Sequence, residues 1–406
     1  TVQKRNLYIM WFTNFLVASS TTMVMPFLSL YISTMGNYSD TFISKWAGFT
    51  FSVTFVTAFL LSPVWGRIGD KHGYKKILIF TSTGISLCLF LMGLVQSVTQ
   101  LFILRLIMGC VTGFIPLSVA FISSQTPKKM AGQVLGTLQT GPVTGMLIGP
   151  LIGGMLADSV GFRFTFIYTS CVIFLAMLLV VFGVREKQKQ PTTEQENEYS
   201  QKEVFQFMVG KRVLFAVMIV SLLVQIANLT IQPLLALYVD QLTDAAKVAS
   251  LSGLAFSAVG FGNLIATRQW GKLGDRIGHI KVIMGLLVVS GIIFIPQALV
   301  TSLWQLILLR FLFGVASGGI VPCMTAYIRQ VAPYEIQGEL QGYNTSFRFL
   351  GNVIGPSIGG IIAGFIGIAS VFYVTSALVF LSFILLYYQV HKEEKEIRAT
   401  DPHIIN

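Results

Sequence analysis

Three arginines, Arg105, Arg310 and Arg348, stand inside long apolar runs. A charged side chain at mid-bilayer costs about 2.5 to 3.5 kcal/mol on an insertion scale, so each must face a cavity or a partner. In that medium a guanidinium can bind an anion, hold water or favour the charged form of a nearby acid. Arg105 and Arg310 occupy two copies of one pattern, Leu-Arg-x-x-x-Gly at 104–109 and 309–314, 205 positions apart. Arg348 belongs to a polar stripe with Gln341, Thr345 and Asn352. Two further stripes share a helical face: Gln225, Asn228 and Gln232, and Gln133, Thr137, Thr140 and Thr144. The 207-position offset between Pro26 and Pro233 maps the first of these onto Ala18, Thr21 and Met25. Such side chains either bind a solute or hydrogen-bond between helices, and for any single Thr or Gln both readings stand. Phe15, Met25, Phe55, Tyr343 and Phe347 on the same faces would supply a drug-sized ligand with apolar contact, or else pack against lipid and core.

A second duplicated feature is the run Gly66-Arg67-Ile68-Gly69-Asp70-Lys71-His72-Gly73-Tyr74-Lys75-Lys76, matched 205 positions on by 271–281. Small residues there let helices end tightly. Asp70 and Asp275 are placed to accept from backbone N–H groups at a nearby helix N-terminus, where the dipole favours an anion. Such a carboxylate is a latch between helix ends. Pro116 and Pro322, Pro127 and Pro333, and the pairs Gly149-Pro150 and Gly355-Pro356 repeat at 206, so the chain is an internal duplication. Repeats of membrane helices place a transport site at their interface.

The elements that must position these residues follow from composition. With 406 residues, 54% hydrophobic and only 11% charged, and a mean hydropathy of +0.73, the chain carries more apolar surface than a water-soluble core can hide. Apolar runs of about 20 residues occur twelve times, at 7–31, 46–65, 77–97, 101–122, 133–157, 164–184, 213–237, 250–268, 282–300, 304–328, 339–364 and 368–390. We number them spans 1 to 12. Of 28 Lys and Arg, 22 fall on the side of the termini, 3 opposite and 3 within spans, which sets both termini in the cytoplasm. Basic residues spread along a membrane surface explain the net charge of +11 and leave no patch for nucleic acid. The expected organisation is a six-helix bundle at 1–184, a polar linker at 185–212, a second bundle at 213–390 and a charged cytoplasmic tail at 391–406. The linker's end, 204–209, reads either as an interfacial segment or as an extension of span 7. Cys88, Cys110, Cys171 and Cys323 read as small core residues, and the four histidines as loop or tail residues too scattered to hold a metal. Converging nucleophiles, bases or metal ligands are lacking, so the chain does not read as an enzyme and implies no cofactor.

Span 5 carries Gly141, Gly145, Gly149 and Gly153 at every fourth position, a stripe that lets another helix approach closely. Pro142 and Pro150 should kink it, and the result reads as a tight seam between the two halves. Span 11 repeats a weaker version with Gly351, Gly355, Gly359 and Pro356.

The loop signature, the Leu-Arg-x-x-x-Gly run and the sequence Gly145-Met146-Leu147-Ile148-Gly149-Pro150-Leu151-Ile152-Gly153-Gly154 together resemble the loop, span 4 and antiporter motifs of the major facilitator superfamily. The likeness covers nearly the whole chain and is nearest to its twelve-helix drug:proton antiporters, the multidrug and fluoroquinolone efflux proteins of Gram-positive bacteria. It implies an all-α membrane protein of twelve transmembrane helices in two pseudo-symmetric six-helix bundles. It also implies a multi-pass monomer of the bacterial cell membrane that exports amphiphilic small molecules by alternating access in exchange for protons. By the same resemblance Arg105 serves proton movement, Arg310 is its structural counterpart, and spans 1, 5, 7 and 11 face a central cavity.

The sequence departs from that pattern in one respect: all seventeen acids fall in loops, tails or helix ends. Without a membrane-embedded acid, the proton carriers would be Asp158 at the outer end of span 5 and Glu339 at the inner end of span 11, with Asp70 as a latch. Lys71 and Tyr74 replace arginines common in the first loop motif. Arg348 near mid-span points to an anionic or zwitterionic substrate, or pairs with carbonyls and polar neighbours. A lipid or anionic-metabolite exporter is therefore the competing function.

Overall fold

In lipid every backbone N–H and C=O must be satisfied within its own segment, so the apolar runs have one outcome open to them. The computed structural model describes residues 2–126, 131–186, 200–244, 246–333 and 336–400, with the side chains at 62, 63, 66, 67, 70, 71, 131–133, 201, 338 and 397–400 outside that description. Twelve helical spans long and apolar enough to cross a membrane stand among these residues: Val2–Ser33, Asp40–Leu61, Tyr74–Met92, Val98–Gln125, Val134–Val160, Phe162–Gly183, Arg212–Leu242, Val248–Ile277, His279–Gln297, Leu303–Val331, Glu339–Ile366 and Ile368–Glu396. No strand occurs among the described residues.

Four spans are interrupted, at duplicated places. Span 1 is helix Val2–Met23, a 3-10 turn Met25–Phe27 around Pro26, and helix Leu28–Ser33. Span 7 repeats this as Arg212–Thr230, Gln232–Leu234 around Pro233, and Leu235–Leu242. Proline has no N–H to donate and its ring crowds the carbonyl four residues back, so the ladder stops there. Spans 4 and 10 break at glycine, between Val98–Val111 and Phe114–Gln125 and between Leu303–Ser317 and Ile320–Val331. Span 5 is not interrupted: Pro142 and Pro150 sit inside one helix, Ala131–Val160.

Each glycine break is held by an indole. Trp65 Nε1 donates to the Cys110 carbonyl and Trp270 Nε1 to the Val315 carbonyl, both at 2.7 Å and 205 positions apart. A carbonyl near the end of a helix has lost its partner four residues on, and the indole N–H replaces it.

Residues Thr1–Thr192, Gln232–Ser257 and Pro356–Phe365 form one compact unit, and Thr193–Ile231, Ala258–Gly355 and Ile366–Asn406 form another. The first holds spans 1 to 6 together with those ends of spans 7, 8 and 11 that lie away from the duplicated loops. Its core includes Phe27, Tyr31, Phe162 and Phe166, with Phe27 and Phe162 stacked at 5.4 Å and Tyr31 donating to the Met92 carbonyl at 2.8 Å.

In the second unit the linker's end is a separate helix, Gln201–Gly210, started by a capping box of Ser200 and Glu203. Val204 and Met208 are fully buried against Leu214, Met218, Ile328 and Leu340, so this helix docks on the protein and is no extension of span 7. The tail is also more ordered than a solvated charge run: helix Ile368–Thr400 continues through it, and Arg212 pairs with Glu396. Cys88 and Cys323 are buried as expected, but Cys110 is half-buried and Cys171 exposed, because span 6 turns that face outward. His279 is no loop residue. It opens helix His279–Gln297 and is only 4% exposed, since Gly274 leaves room for its ring.

Candidate functional site

The glycine stripe of span 5 packs on span 1. A Cβ at Gly141, Gly145, Gly149 or Gly153 would strike the carbonyl oxygens of Trp11, Phe15, Ser19 and Met23 in turn. The stripe therefore joins two helices of one sequence half, contrary to the seam between halves expected from its spacing, because the neighbour it fits is the one whose backbone rises in step with it. Thr140 lies beside this contact and accepts from Trp11 Nε1 at 2.7 Å. Thr21 donates to the carbonyl of Val17 at 2.9 Å, and Met25 is half-buried in the 3-10 turn. The Gln133 side chain lies outside the described residues.

Contact between sequence halves is made by other residues, all inside the first unit. Gly154 meets the carbonyl of Ala249 and Gly253 that of Pro150. Ser257 donates to the Leu147 carbonyl at 2.7 Å. At the same end, Asp158 accepts from the backbone N–H groups of Ala249 at 3.2 Å and Ser250 at 2.7 Å. These are the amides of the second and third residues of helix Val248–Ile277, so the carboxylate caps span 8 where the dipole is positive. The duplicated contact joins spans 2 and 11: Gly48 meets the carbonyl of Pro356 and Gly360 that of Ser44. Here Thr41 donates to the Gly364 carbonyl at 2.7 Å and Lys45 Nζ sits 3.7 Å from the ring centre of Phe365. Gly364 stands 206 positions after Asp158, so of the two related seams only one is closed by an acid.

In the second unit spans 7 and 11 bring polar residues together. Gly351 and Gly355 let span 11 approach Gln225 and Ile226 on span 7. Gln225 Nε2 then donates to Asn352 Oδ1 at 2.7 Å. One turn along the same face of span 11, Arg348 keeps a buried Nε that has no hydrogen-bond partner. Asn228 is half-buried, Thr345 is exposed and donates to Gln341's carbonyl at 3.0 Å, and Gln341 donates to Thr325's carbonyl at 3.0 Å. Tyr343 and Phe347 pack against the buried cluster that the docked linker helix joins, Tyr343 with its ring 6.2 Å from Phe205. Gln232 falls in the 3-10 turn of span 7 and belongs to the first unit.

Arg105 and Arg310 are 7% and 3% exposed, each well inside its helix. Arg105 Nε has no hydrogen-bond partner, and Thr54 donates to the Arg105 carbonyl at 3.1 Å. The Asp70 side chain lies outside the described residues. Asp275 is exposed and lies 3.3 Å from His279 Nε2, so its contact is with a side chain and not with the helix N-terminus expected for it. Glu339 is half-buried in the first turn of helix Gln337–Ile366. Among the described residues Glu186 caps a helix beside the first loop, accepting from the backbone N–H of Tyr74 at 2.7 Å and Lys75 at 3.1 Å. Lys75 Nζ returns the contact by donating to the carbonyls of Val181 and Val184, both at 2.8 Å. Sequence reasoning missed Glu186, which lies in a run of mixed charge. It also missed Trp65 and Trp270, although each directly precedes a copy of the loop signature.

Comparison with known proteins places these features in a family context. The model of the Major Facilitator Superfamily matches residues 10–251 and 248–403. The uncharacterized MFS-type transporter YuxJ of Bacillus subtilis (strain 168) is 55% identical over 378 residues, covering 93% of this chain and 96% of its own. The multidrug resistance protein MdtG of Enterobacter lignolyticus (strain SCF1) is 40% identical over 377 residues, covering 93% of this chain and 90% of its own. A crystal structure of a bacterial homologue of the human lysosomal transporter Spinster, inward-facing and occupied, superposes with a TM-score of 0.79 at 13% identity, over 95% of this chain and 96% of that one.

Proposed function

From a chain that belongs to the major facilitator superfamily, and is therefore a transporter and not an enzyme, we propose a secondary active exporter of amphiphilic drugs that exchanges them for protons. The observation that carries the substrate class is Arg348, whose buried Nε lacks a partner one turn from the Gln225–Asn352 pair. A buried donor left without a partner is costly unless a ligand or water completes it. A zwitterionic amphiphile does so with its anionic end and leaves its apolar body to neighbouring Phe and Met side chains. The multidrug resistance proteins among the relatives support a drug as that amphiphile. Thr21, Met25, Thr140, Asn228, Gln232 and Thr345 would contribute to the pathway from spans 1, 5, 7 and 11.

Proton exchange is assigned to Asp158 and Glu339, the acids nearest the ends of spans 5 and 11. Protonating Asp158 removes the charge that caps span 8, which loosens one of the two related seams and leaves the other unchanged. A second function, export of a lipid or anionic metabolite without proton exchange, is favoured by the same Arg348 and by the lack of an acid at mid-span.

Drug-driven pH change in proteoliposomes separates the two, using a zwitterionic fluoroquinolone and a lipophilic cation. The proposal expects proton movement on addition of the fluoroquinolone, lost in Asp158→Asn. Arg348→Ala should raise the KM for the fluoroquinolone about tenfold or more, the equivalent of one lost ion-pair contact, and leave the cation unaffected. Silence with both compounds, in protein shown to be folded, would overturn it.

A further inference from the structure

The exposed surface of the second unit holds a groove of about 540 Å³ between spans 8 and 10, lined by Ile265, Trp270, Leu273 and Val315, with Lys272 and Arg276 among its walls. Its place in the fold is specific. Lys272 and Arg276 stand four residues apart in the last two turns of helix Val248–Ile277, at the end of the span, while Leu264 and Ile265 two to three turns back are exposed apolar residues. Apolar walls thus continue into two cations just beyond the apolar run 250–268, where the sequence changes from hydrocarbon-compatible to charged. Arg268 and Lys281 are exposed nearby, and the acid of this stretch, Asp275, lies 3.3 Å from His279 and does not line the groove.

The internal duplication shows why the groove is open here. In the first repeat the ring of Phe80 packs on Trp65 with centroids 5.3 Å apart. The positions 205 later are Gly285 and Trp270. A Cβ at Gly285 would meet nothing within 4 Å, so the second repeat lacks the ring that covers the indole in the first. Span 9 does reach this region, since a Cβ at Gly319 would touch both Trp270 and Leu286.

We infer that this groove binds a diacyl phospholipid with a net negative headgroup, its phosphate on Lys272 and Arg276 and an acyl chain along Ile265, Leu273 and Trp270. Charge complementarity selects the headgroup: two neighbouring cations at a membrane surface attract anionic over zwitterionic lipid. The apolar wall selects the chain. The seat lies against Trp270, whose indole holds the span 10 break, so an occupied groove stiffens that break.

The test is lipid binding to the whole purified protein by native mass spectrometry, titrating phosphatidylglycerol and phosphatidylethanolamine of identical chains. Wild type should retain phosphatidylglycerol about tenfold more strongly, following roughly a tenfold gain per 1.4 kcal/mol and about one such increment or more from two surface cations. Lys272→Gln with Arg276→Gln should remove the preference while leaving the two lipids equally and weakly bound. Gly285→Phe, which restores the ring of the first repeat at an exposed and open position, should weaken both lipids together. Equal retention of the two lipids by wild type would overturn the inference, as would a preference that survives in the double variant. So would glycerol 3-phosphate competing as strongly as the diacyl lipid, because the apolar wall would then hold nothing. If the two cations serve only the helix C-terminus, the double variant lowers thermal stability and leaves the lipid ratio unchanged, which also overturns it.

Discussion

Replacing Asp158 with Ala should open the seam between spans 5 and 8 more often. The wild-type carboxylate accepts two backbone N–H groups, at 3.2 and 2.7 Å, at the start of span 8. Losing one such hydrogen bond costs about 1 kcal/mol, with the dipole contributing a few tenths more. The two bonds together amount to about 2 kcal/mol, and at 1.4 kcal/mol per tenfold this shifts the seam's opening equilibrium roughly 30-fold. Asp158→Asn keeps one oxygen and loses the charge, for roughly fivefold on the same scale. Ala249 reports the opening, because it is 1% exposed in the closed seam and its N–H is kept when the side chain changes. In a variant with the four native cysteines replaced and Ala249→Cys introduced, the rate of alkylation by a hydrophilic maleimide should rise in that order, Asp, Asn, Ala. A change below twofold in the Ala variant, with unfolding midpoint unaltered, would show that the cap does not hold the seam and would refute the assignment.

Gly145→Val should lower the thermal unfolding midpoint in detergent or prevent folding, because its Cβ would lie on the Phe15 carbonyl and overpacking costs about 1 to 3 kcal/mol. Gly136→Ala in the same helix meets nothing within 4 Å and should be neutral or stabilising. Trp65→Phe and Trp270→Phe each remove one indole bond at 2.7 Å and should each cost about 1 kcal/mol, read as an earlier unfolding midpoint; no change in either would mean that water replaces the indole.

The twelve spans were legible because apolar length is what a bilayer selects, and the duplication was legible because the loop signature and the Leu-Arg-x-x-x-Gly run each recur 205 positions apart. The partner of the span 5 glycines was not. A small-residue stripe announces close approach without saying to what, and only the carbonyls of Trp11, Phe15, Ser19 and Met23 identify span 1. Helix ends were the weakest point for a related reason. Any carboxylate within reach can cap an N-terminus, and Glu186, 112 residues from Tyr74 along the chain, caps the helix beside the first loop. Asp158 was visible as an acid at a span end, whereas its cap on span 8 depended on a contact 91 residues away.

The contact between spans 1 and 5 also sets a schedule for biogenesis. Phe15 and Gly145 are 130 positions apart, and Asn14 finds its partner Ser118 only 104 positions later. At about 5 to 20 residues per second, synthesis leaves span 1 without span 5 for roughly 7 to 26 s. During that interval the face of span 1 that the span 5 glycines cover, from Trp11 to Met23, lacks its partner helix. The tightest contact of the first span therefore forms only after four further helices have been made, and a chain ending before Gly145 would expose the carbonyls of Phe15, Ser19 and Met23 that the stripe covers.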